Sequence, residues 1–305
     1  MHTLPPGIRI GELVHRALES GAPVLALEST ILSHGLPNPR NVEVGLASEQ
    51  LVRDAGVVPA TIGVIDGVPV VGLSPAEIER LCTADGVVKV SVRDLPIARA
   101  KHLDGGTTVA ATAWLAHRAG IRVMSTGGLG GVHRGASETF DESADLGTLA
   151  TTPITLVSAG VKSILDIGAT LERLETLNVP VVGYRTNRYP GFYVADSGFA
   201  LDYRIESAAD AAALAHARDE LGLASAVLVA NPVDEAAQLD PAFHDQVLDE
   251  ALAAASDAGV TGHDTTPFLL DYVQRATGGR SLEVNLEVYR GNVALGAEIA
   301  RAVAG

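Results

Sequence analysis

Two hydrophobic rhythms take turns along this chain. Ile8–Leu18 carries apolar residues at helical spacing, and the run Val24-Leu25-Ala26-Leu27 after it predicts a buried strand ending in Glu28-Ser29-Thr30. Val42–Val52 returns to helical spacing. Thr61–Ile65 and Val68–Val71 read as strands joined by the turn pair Asp66-Gly67. Ser74-Pro75-Ala76-Glu77 predicts a helix start, with serine as cap, proline in the first turn and a glutamate reaching back. The same reading predicts strands at Val87–Ser91, Ile121–Ser125, Ile154–Val157, Val181–Tyr184 and Ala226–Ala230, and helices at Thr107–Ala119, Ser163–Leu177 and Ser207–Leu221. After Asp240 the pattern is mostly helical. Strands alternating with helices predict an α/β layered fold with a largely parallel, buried sheet and a helical C-terminal section. No linker rich in Pro, Gly or Ser and no fixed-period repeat divides the chain, so residues 1–305 read as a single domain. In such sheets ligands gather beyond the carboxyl ends of the strands, which directs attention to polar residues that follow apolar runs.

Charge narrows the choice of partner. The chain has 22 Lys+Arg against 37 Asp+Glu, a net charge of -15, so a general nucleic-acid surface is not expected. A local cationic pocket for one phosphate remains allowed. No apolar run reaches the roughly 18 residues of a membrane span, the start lacks a secretory pattern, and the single Cys82 excludes a disulfide framework. A cytoplasmic protein with no membrane partner is the expectation. Of the basic residues only Lys89, Lys101 and Lys162 are lysines; the rest are arginines. Lysine can act as an amine nucleophile near neutral pH and arginine cannot, although codon bias gives the same ratio.

Several segments place chemistry-bearing groups at strand ends. Glu28 lies at a strand mouth, where partial loss of solvation would raise its pKa and suit a general acid; pairing with an arginine or capping a helix is the plainer role. Thr126-Gly127-Gly128-Leu129-Gly130-Gly131-Val132-His133-Arg134 follows a strand and fits either an anion-binding loop or a mobile lid; it is neither a P-loop nor a dinucleotide fingerprint. Asp141-Glu142-Ser143-Ala144-Asp145 offers three carboxylates, a set suited to magnesium or manganese, or to an acidic helix start. Lys162 sits where a strand gives way to a helix among apolar residues. It fits a Schiff-base nucleophile if neutral and a phosphate-binding or capping cation if charged. Lys89 interrupts an apolar strand and needs either a phosphate partner or an edge position reaching solvent. Gly105-Gly106-Thr107-Thr108-Val109 opens a helix whose N–H groups suit phosphate or plain capping. Asp264-Thr265-Thr266-Pro267 caps a later helix, and Asn285, in mid-helix, is expected to face solvent.

Taken together, Leu27-Glu28-Ser29-Thr30, the glycine-rich string through Arg134, Ser143-Ala144-Asp145-Leu146, Ser158-Ala159-Gly160-Val161-Lys162-Ser163-Ile164-Leu165-Asp166, Thr265-Thr266-Pro267-Phe268-Leu269-Leu270 and Gly278-Gly279-Arg280-Ser281-Leu282 resemble the motifs of pseudouridine-5'-phosphate glycosidases. The resemblance runs from about residue 8 to the C-terminus. It implies a three-layer α/β/α sandwich, a homotrimer, and one divalent cation per subunit, typically Mn2+. The implied reaction is reversible cleavage of the C–C glycosidic bond of pseudouridine 5'-phosphate to uracil and ribose 5-phosphate. It further implies Lys162 as the nucleophile at C1' of the opened ribose, Glu28 as proton donor and Asp141 as metal ligand. Lys89, Val109, Ser143, Ala144 and Asp145 would contact substrate, with Thr126, His133 and Asn285 completing the pocket. A carbon leaving group has no heteroatom to protonate, so two-carboxylate glycosidase logic does not reach it, and an amine at C1' supplies the electron sink. The competing readings are a Schiff-base lyase or aldolase on another phosphosugar, and a non-catalytic phosphosugar-binding protein.

Overall fold

A computed structural model describes residues 7–260 and 265–305; the predicted cap at Asp264 lies outside them. The strands are β1 (Arg9–Ile10), β2 (Val24–Leu27), β3 (Val58–Ile65), β4 (Val68–Val71), β5 (Val88–Val90), β6 (Gly105–Thr107), β7 (Val123–Ser125), β8 (Thr155–Ser158), β9 (Val181–Tyr184), β10 (Arg204–Ile205) and β11 (Val227–Ala230). They join in one sheet whose path runs β1-β4-β3-β2-β7-β8-β11-β9-β10, with β6 on β3 and β5 on β6. Every pairing is parallel except those of β3 with β4 and β6. β3 serves both regions: Val58–Thr61 pair with β2, and residues from Ile62 onward pair with β4.

Period-two alternation sorts the strand side chains onto two faces. Ala26, Met124, Leu156 and Leu228 join a core containing Val109, Ala113 and Ala116 of the helix Val109–Ala119. Leu25, Leu27, Val123, Val157 and Val229 join another, with Ala211 and Ala215 of the helix Ala208–Glu220 and Tyr289, Val293 and Ile299 of the helix Arg280–Ala304. Helices thus cover both faces of a largely parallel sheet, giving three layers. Each fully buried Leu, Ile or Val in these cores contributes about 1.5–3 kcal/mol.

The differences from the sequence reading cluster at strand ends. The helix expected from Thr107 begins at Val109, because Gly105–Thr107 pair with β3 and β5 as a strand. The helix expected from Ser163 begins at Ile167, where Asp166 accepts from Ala169 N–H as its cap. Residues 163–166 are therefore loop, and Lys162 lies beyond a strand and ahead of the helix cap. Ser74 and Glu77 form the predicted reciprocal cap. No described helix is long and apolar enough to cross a membrane.

Candidate active site

Register brings the site together. Leu27 of β2 pairs with Ser125 of β7, and Ser125 pairs with Val157 of β8. Glu28 and Thr126 directly follow the adjacent strands β2 and β7 and lie level with Ser158, the last residue of β8, at the carboxyl edge of the sheet. Thr126 Oγ1 donates to Glu28 Oε2 at 2.6 Å. Glu28 is only 7% exposed, and burial raises its carboxyl pKa above the ordinary 4.5. The Lys162 charge and the Thr126 hydroxyl oppose that rise, Asp145 adds to it, and Lys89 opposes it more weakly. Four residues separated widely in sequence thus act on one carboxyl group. Among the described residues no arginine partners Glu28.

Lys89 stays exposed by area in β5. Protein around its ammonium still lowers its pKa by desolvation, and the Lys162 charge lowers it further. Lys101, the third lysine, is exposed at the end of the helix Leu95–Ala100. His34 was not singled out from the sequence; burial and then the Lys89 charge lower its pKa below 6.5.

The glycine-rich segment is pinned in place. Gly130 N–H donates to Asp145 Oδ2, and Ala110 N–H, in the first turn of the helix Val109–Ala119, donates to Asp145 Oδ1, both at 2.8 Å. Val132 N–H donates to Thr170 Oγ1. Leu129 N–H reaches Gly160 O, and Lys162 N–H reaches Leu129 O. A side chain at Gly130 would collide with Ser143 Oγ and the Asp145 carboxylate. The close approach therefore requires glycine, and these anchors argue against a freely swinging lid. At Gly160 the backbone has φ +78°, and a Cβ would lie 2.6 Å from Pro190 O.

Two anchors escaped the sequence reading. Asn292, fully buried in the helix Arg280–Ala304, donates from Nδ2 to Thr126 O at 2.8 Å and Gly127 O at 3.0 Å. Its Oδ1 accepts from Asn231 Nδ2 at 2.9 Å, while Asn231 N–H donates to Ser158 O. Tyr189, also buried, accepts from Val161 N–H at 3.0 Å beside Lys162. An asparagine within the apolar stripe of Tyr289, Val293 and Gly296 was the available signal for the first. For the second there was none. Asn285 departs from expectation: it is half-buried, its Oδ1 is buried without a hydrogen-bond partner among the described residues, and it lies beside Gly127 of the glycine loop.

The acidic segment divides rather than converges. Glu142 pairs with Arg173 at 2.9 Å, and each Asp145 carboxylate oxygen accepts a backbone N–H. Ser143 Oγ accepts from Asp145 N–H to cap the helix Ala144–Leu149, and Ala144 is exposed. Asp141 keeps a partly open carboxylate whose Oδ2 lies 3.8 Å from His133 Nδ1, and His133 N–H donates to Asp141 O. No group of three or more His, Cys, Asp or Glu suited to a metal occurs among the described residues. The three carboxylates of this run thus face different partners. One open carboxylate fits a hard cation that keeps most of its water, as magnesium and manganese sites do. Val109, buried at 2% exposure, opens the helix beside Asp145's anchor and presents backbone rather than a polar side chain.

Residues 13–302 match the family of indigoidine synthase A-like proteins. A protein of Saccharopolyspora erythraea named pseudouridine-5'-phosphate glycosidase is 64% identical over 96% of this chain and 96% of its own length. One of the same name from Frankia alni is 58% identical over 97% of this chain and 82% of its own. Among solved structures, the prealnumycin C-glycosynthase AlnA in complex with ribulose 5-phosphate superposes with TM-score 0.92 at 36% identity, covering 98% of each chain. An indigoidine synthase A-like protein of Thermotoga maritima superposes with TM-score 0.89 at 36% identity over the whole of both chains. The strand-end carboxyl group, the anchored glycine loop and the lysine beyond β8 sit on a scaffold shared across its full length with these proteins, and the chain belongs to the pseudouridine-5'-phosphate glycosidase family.

Proposed function

We propose that this enzyme reversibly splits the C1'–C5 bond of pseudouridine 5'-phosphate, with water, into uracil and ribose 5-phosphate, using Lys162 as a covalent nucleophile. The observation that carries the reading is a buried carboxyl group, Glu28, held by Thr126 and sharing its surroundings with Lys162 and Lys89. The protonated form favoured by burial supplies a proton to the ribose ring oxygen as the C1'–O bond breaks. Lys162 Nζ forms a bond to C1', and the Glu28 carboxylate takes the proton that nitrogen releases. The nitrogen lone pair then makes a C1'=N double bond while the C1'–C5 pair leaves with uracil, and the proton held by Glu28 goes to C5. Water adds to the iminium carbon and frees ribose 5-phosphate and the lysine amine.

Lys89 suits the phosphate end, and Asn285 Oδ1, without a hydrogen-bond partner among the described residues, offers an acceptor to a substrate N–H or O–H. A divalent cation, Mn2+ in our reading, would be held by Asp141 with water in its other positions and would offset phosphate charge. We also infer a homotrimeric, cytoplasmic enzyme. The test is incubation of uracil and ribose 5-phosphate with the metal-stripped protein, with and without manganese, followed by borohydride reduction and peptide mass mapping. The expected results are a product with the mass of pseudouridine 5'-phosphate and a ribose 5-phosphate adduct on Lys162. An adduct without that product would favour a lyase on another phosphosugar, and neither signal would remove the catalytic reading.

A further inference from the structure

The π-helical turn Ile31–Gly35 follows β2 after only Glu28, Ser29 and Thr30. Such turns are uncommon and gather at functional sites. Its seat is β6. Ser33 Oγ donates to Ser29 O at 3.2 Å, Thr30 Oγ1 donates to Gly106 O at 3.3 Å, and a Cβ at Gly106 would lie 2.1 Å from Ser33 Oγ. The stretch that carries the candidate acid at one end therefore carries His34 at the other.

Strand register aims Lys89 at the same place. Lys89 of β5 pairs with Gly106 of β6 in parallel, and register partners project to one face of a sheet. The bare Cα of Gly106 faces Ser33, so the Lys89 side chain leaves the sheet on the side where the turn sits. Val87, just ahead of β5, packs against the cluster containing Leu32 and Leu36, which lie on either side of His34 in the turn.

Both groups are exposed by area and so within reach of a ligand. Burial still disfavours a proton on His34, the Lys89 charge disfavours it further, and a hydrogen bond to the Val87 backbone opposes both. Nδ1 of His34 lies 2.7 Å from Ser33 Oγ. The elements packed on the turn add no competing charge. β6 has no charged residue, Arg40 is held by Glu283, and Glu43 is exposed to water. On the helix Pro75–Thr83, Glu77 and Arg80 are paired with Arg9 and Asp104, Glu79 is exposed, and burial pushes the Cys82 thiol up to about 11, so it keeps its proton. Among the described residues Lys89 is the charge that acts on the His34 ring.

We infer that His34 is a positioning residue of the phosphate end that acts through Lys89: uncharged beside the bare ammonium, it takes up a proton when a phosphate dianion covers that ammonium. The proton comes from solvent and ends on the imidazole, and no bond to the substrate forms or breaks. The inference deepens the proposed reaction and rests on Lys89 serving the phosphate. Its consequence is selection, because ribose 5-phosphate gains from the second positive charge and unphosphorylated ribose does not.

Calorimetric titration of the full chain with ribose 5-phosphate at about pH 7, in a pair of buffers of different ionisation enthalpy, reads the proton uptake. Proton changes on the phosphate itself and at Lys162 are common to wild type and variant and cancel in the comparison. His34→Gln is expected to lower the uptake and weaken ribose 5-phosphate about threefold at low salt, with ribose binding unchanged and the difference closing at high salt. His34→Arg, permanently charged, is expected to restore the affinity without the uptake. Wild-type uptake in His34→Gln, or equal weakening toward ribose and ribose 5-phosphate, would overturn the inference. Undiminished ribose 5-phosphate affinity in Lys89→Met would overturn it together with the phosphate end of the proposed reaction. Failure to trap an adduct on Lys162, alongside proton uptake that depends on His34, would instead count against the reaction and support this charge response.

Discussion

Replacing Asn292 by leucine keeps the branching of the side chain and removes its hydrogen bonds, which isolates what the amide does for Thr126. Among the described residues Thr126 O accepts only from Asn292, whereas Gly127 O also accepts from Ala159 N–H at 2.9 Å. The variant therefore leaves one buried carbonyl without a partner, at about 1–3 kcal/mol, and forfeits a second bond worth about 0.5–1.5 kcal/mol. Asn231 is half-buried and can recover solvent, so its share is small. A loss of about 2–4 kcal/mol follows, a large part of the about 5–15 kcal/mol that holds a domain together. Urea unfolding followed by circular dichroism reads the change as a lower midpoint at unchanged slope. Because Thr126 holds Glu28 through its hydroxyl, kcat should fall more than KM rises. Asn292→Asp supplies the control: it can still accept from Asn231 but cannot donate to the carbonyls, and it buries a charge, so it should be worse than leucine. A wild-type midpoint in Asn292→Leu, or lost stability with unchanged kcat, would refute the argument that this amide positions the acid.

Thr126→Val removes a hydrogen bond that holds the Glu28 pKa down, so that pKa should rise further and the high-pH limb of kcat against pH should move upward. The stability sign follows from burial. Glu28 titrates higher in the folded than in the unfolded chain, so its contribution is present below the ordinary carboxyl range and is lost as pH rises through the folded value. Lys162→Arg should abolish turnover and the borohydride-trapped adduct while keeping the urea midpoint, since a guanidinium cannot attack C1'. Asp145→Asn turns one acceptor toward a backbone N–H as a donor, and should cost about 1–3 kcal/mol in the same unfolding assay while loosening the glycine loop. Asp141→Ala should lose the manganese response of activity without a comparable loss of stability, because among the described residues the polar partner of its carboxylate is His133 at 3.8 Å.

Patterning was legible wherever one rule dominated. The apolar runs at Val24–Leu27, Ile154–Val157 and Ala226–Ala230 mark strands buried on both faces, and Ser74 with Glu77 marks a helix start through a local reciprocal bond. Gly105–Thr107 was misread because a three-residue strand of small residues has no period, and only its pairing with β3 and β5 makes it a strand. The start of the helix after Lys162 was misplaced because Ser163 and Asp166 are both good caps, and Val132 O, a tertiary acceptor for Asp166 N–H, helps fix the choice. Glu28, Lys89 and Lys162 were legible as polar groups in apolar settings. Their meeting was not, since it depends on strand order β2-β7-β8 and on β5 joining β3 through β6, which no local signal encodes. The same limit hid the fate of the acidic run, where Arg173 and two backbone N–H groups claim carboxylates that composition alone offers to a metal.

The Asn292 latch also sets a schedule for making the protein. Glu28 leaves the ribosome early and Lys162 near the middle, yet the amide that fastens Thr126 lies in the helix Arg280–Ala304. At translation speeds of about 5–20 residues per second, the stretch between Lys162 and that helix takes on the order of ten seconds to emerge. Throughout that interval a nascent chain holds both the amine and the carboxyl group but lacks the clasp that aligns them. The Asn292–Thr126 contact is completed as a late step of synthesis, and a chain that ends before the helix Arg280–Ala304 lacks the amide that fastens Thr126.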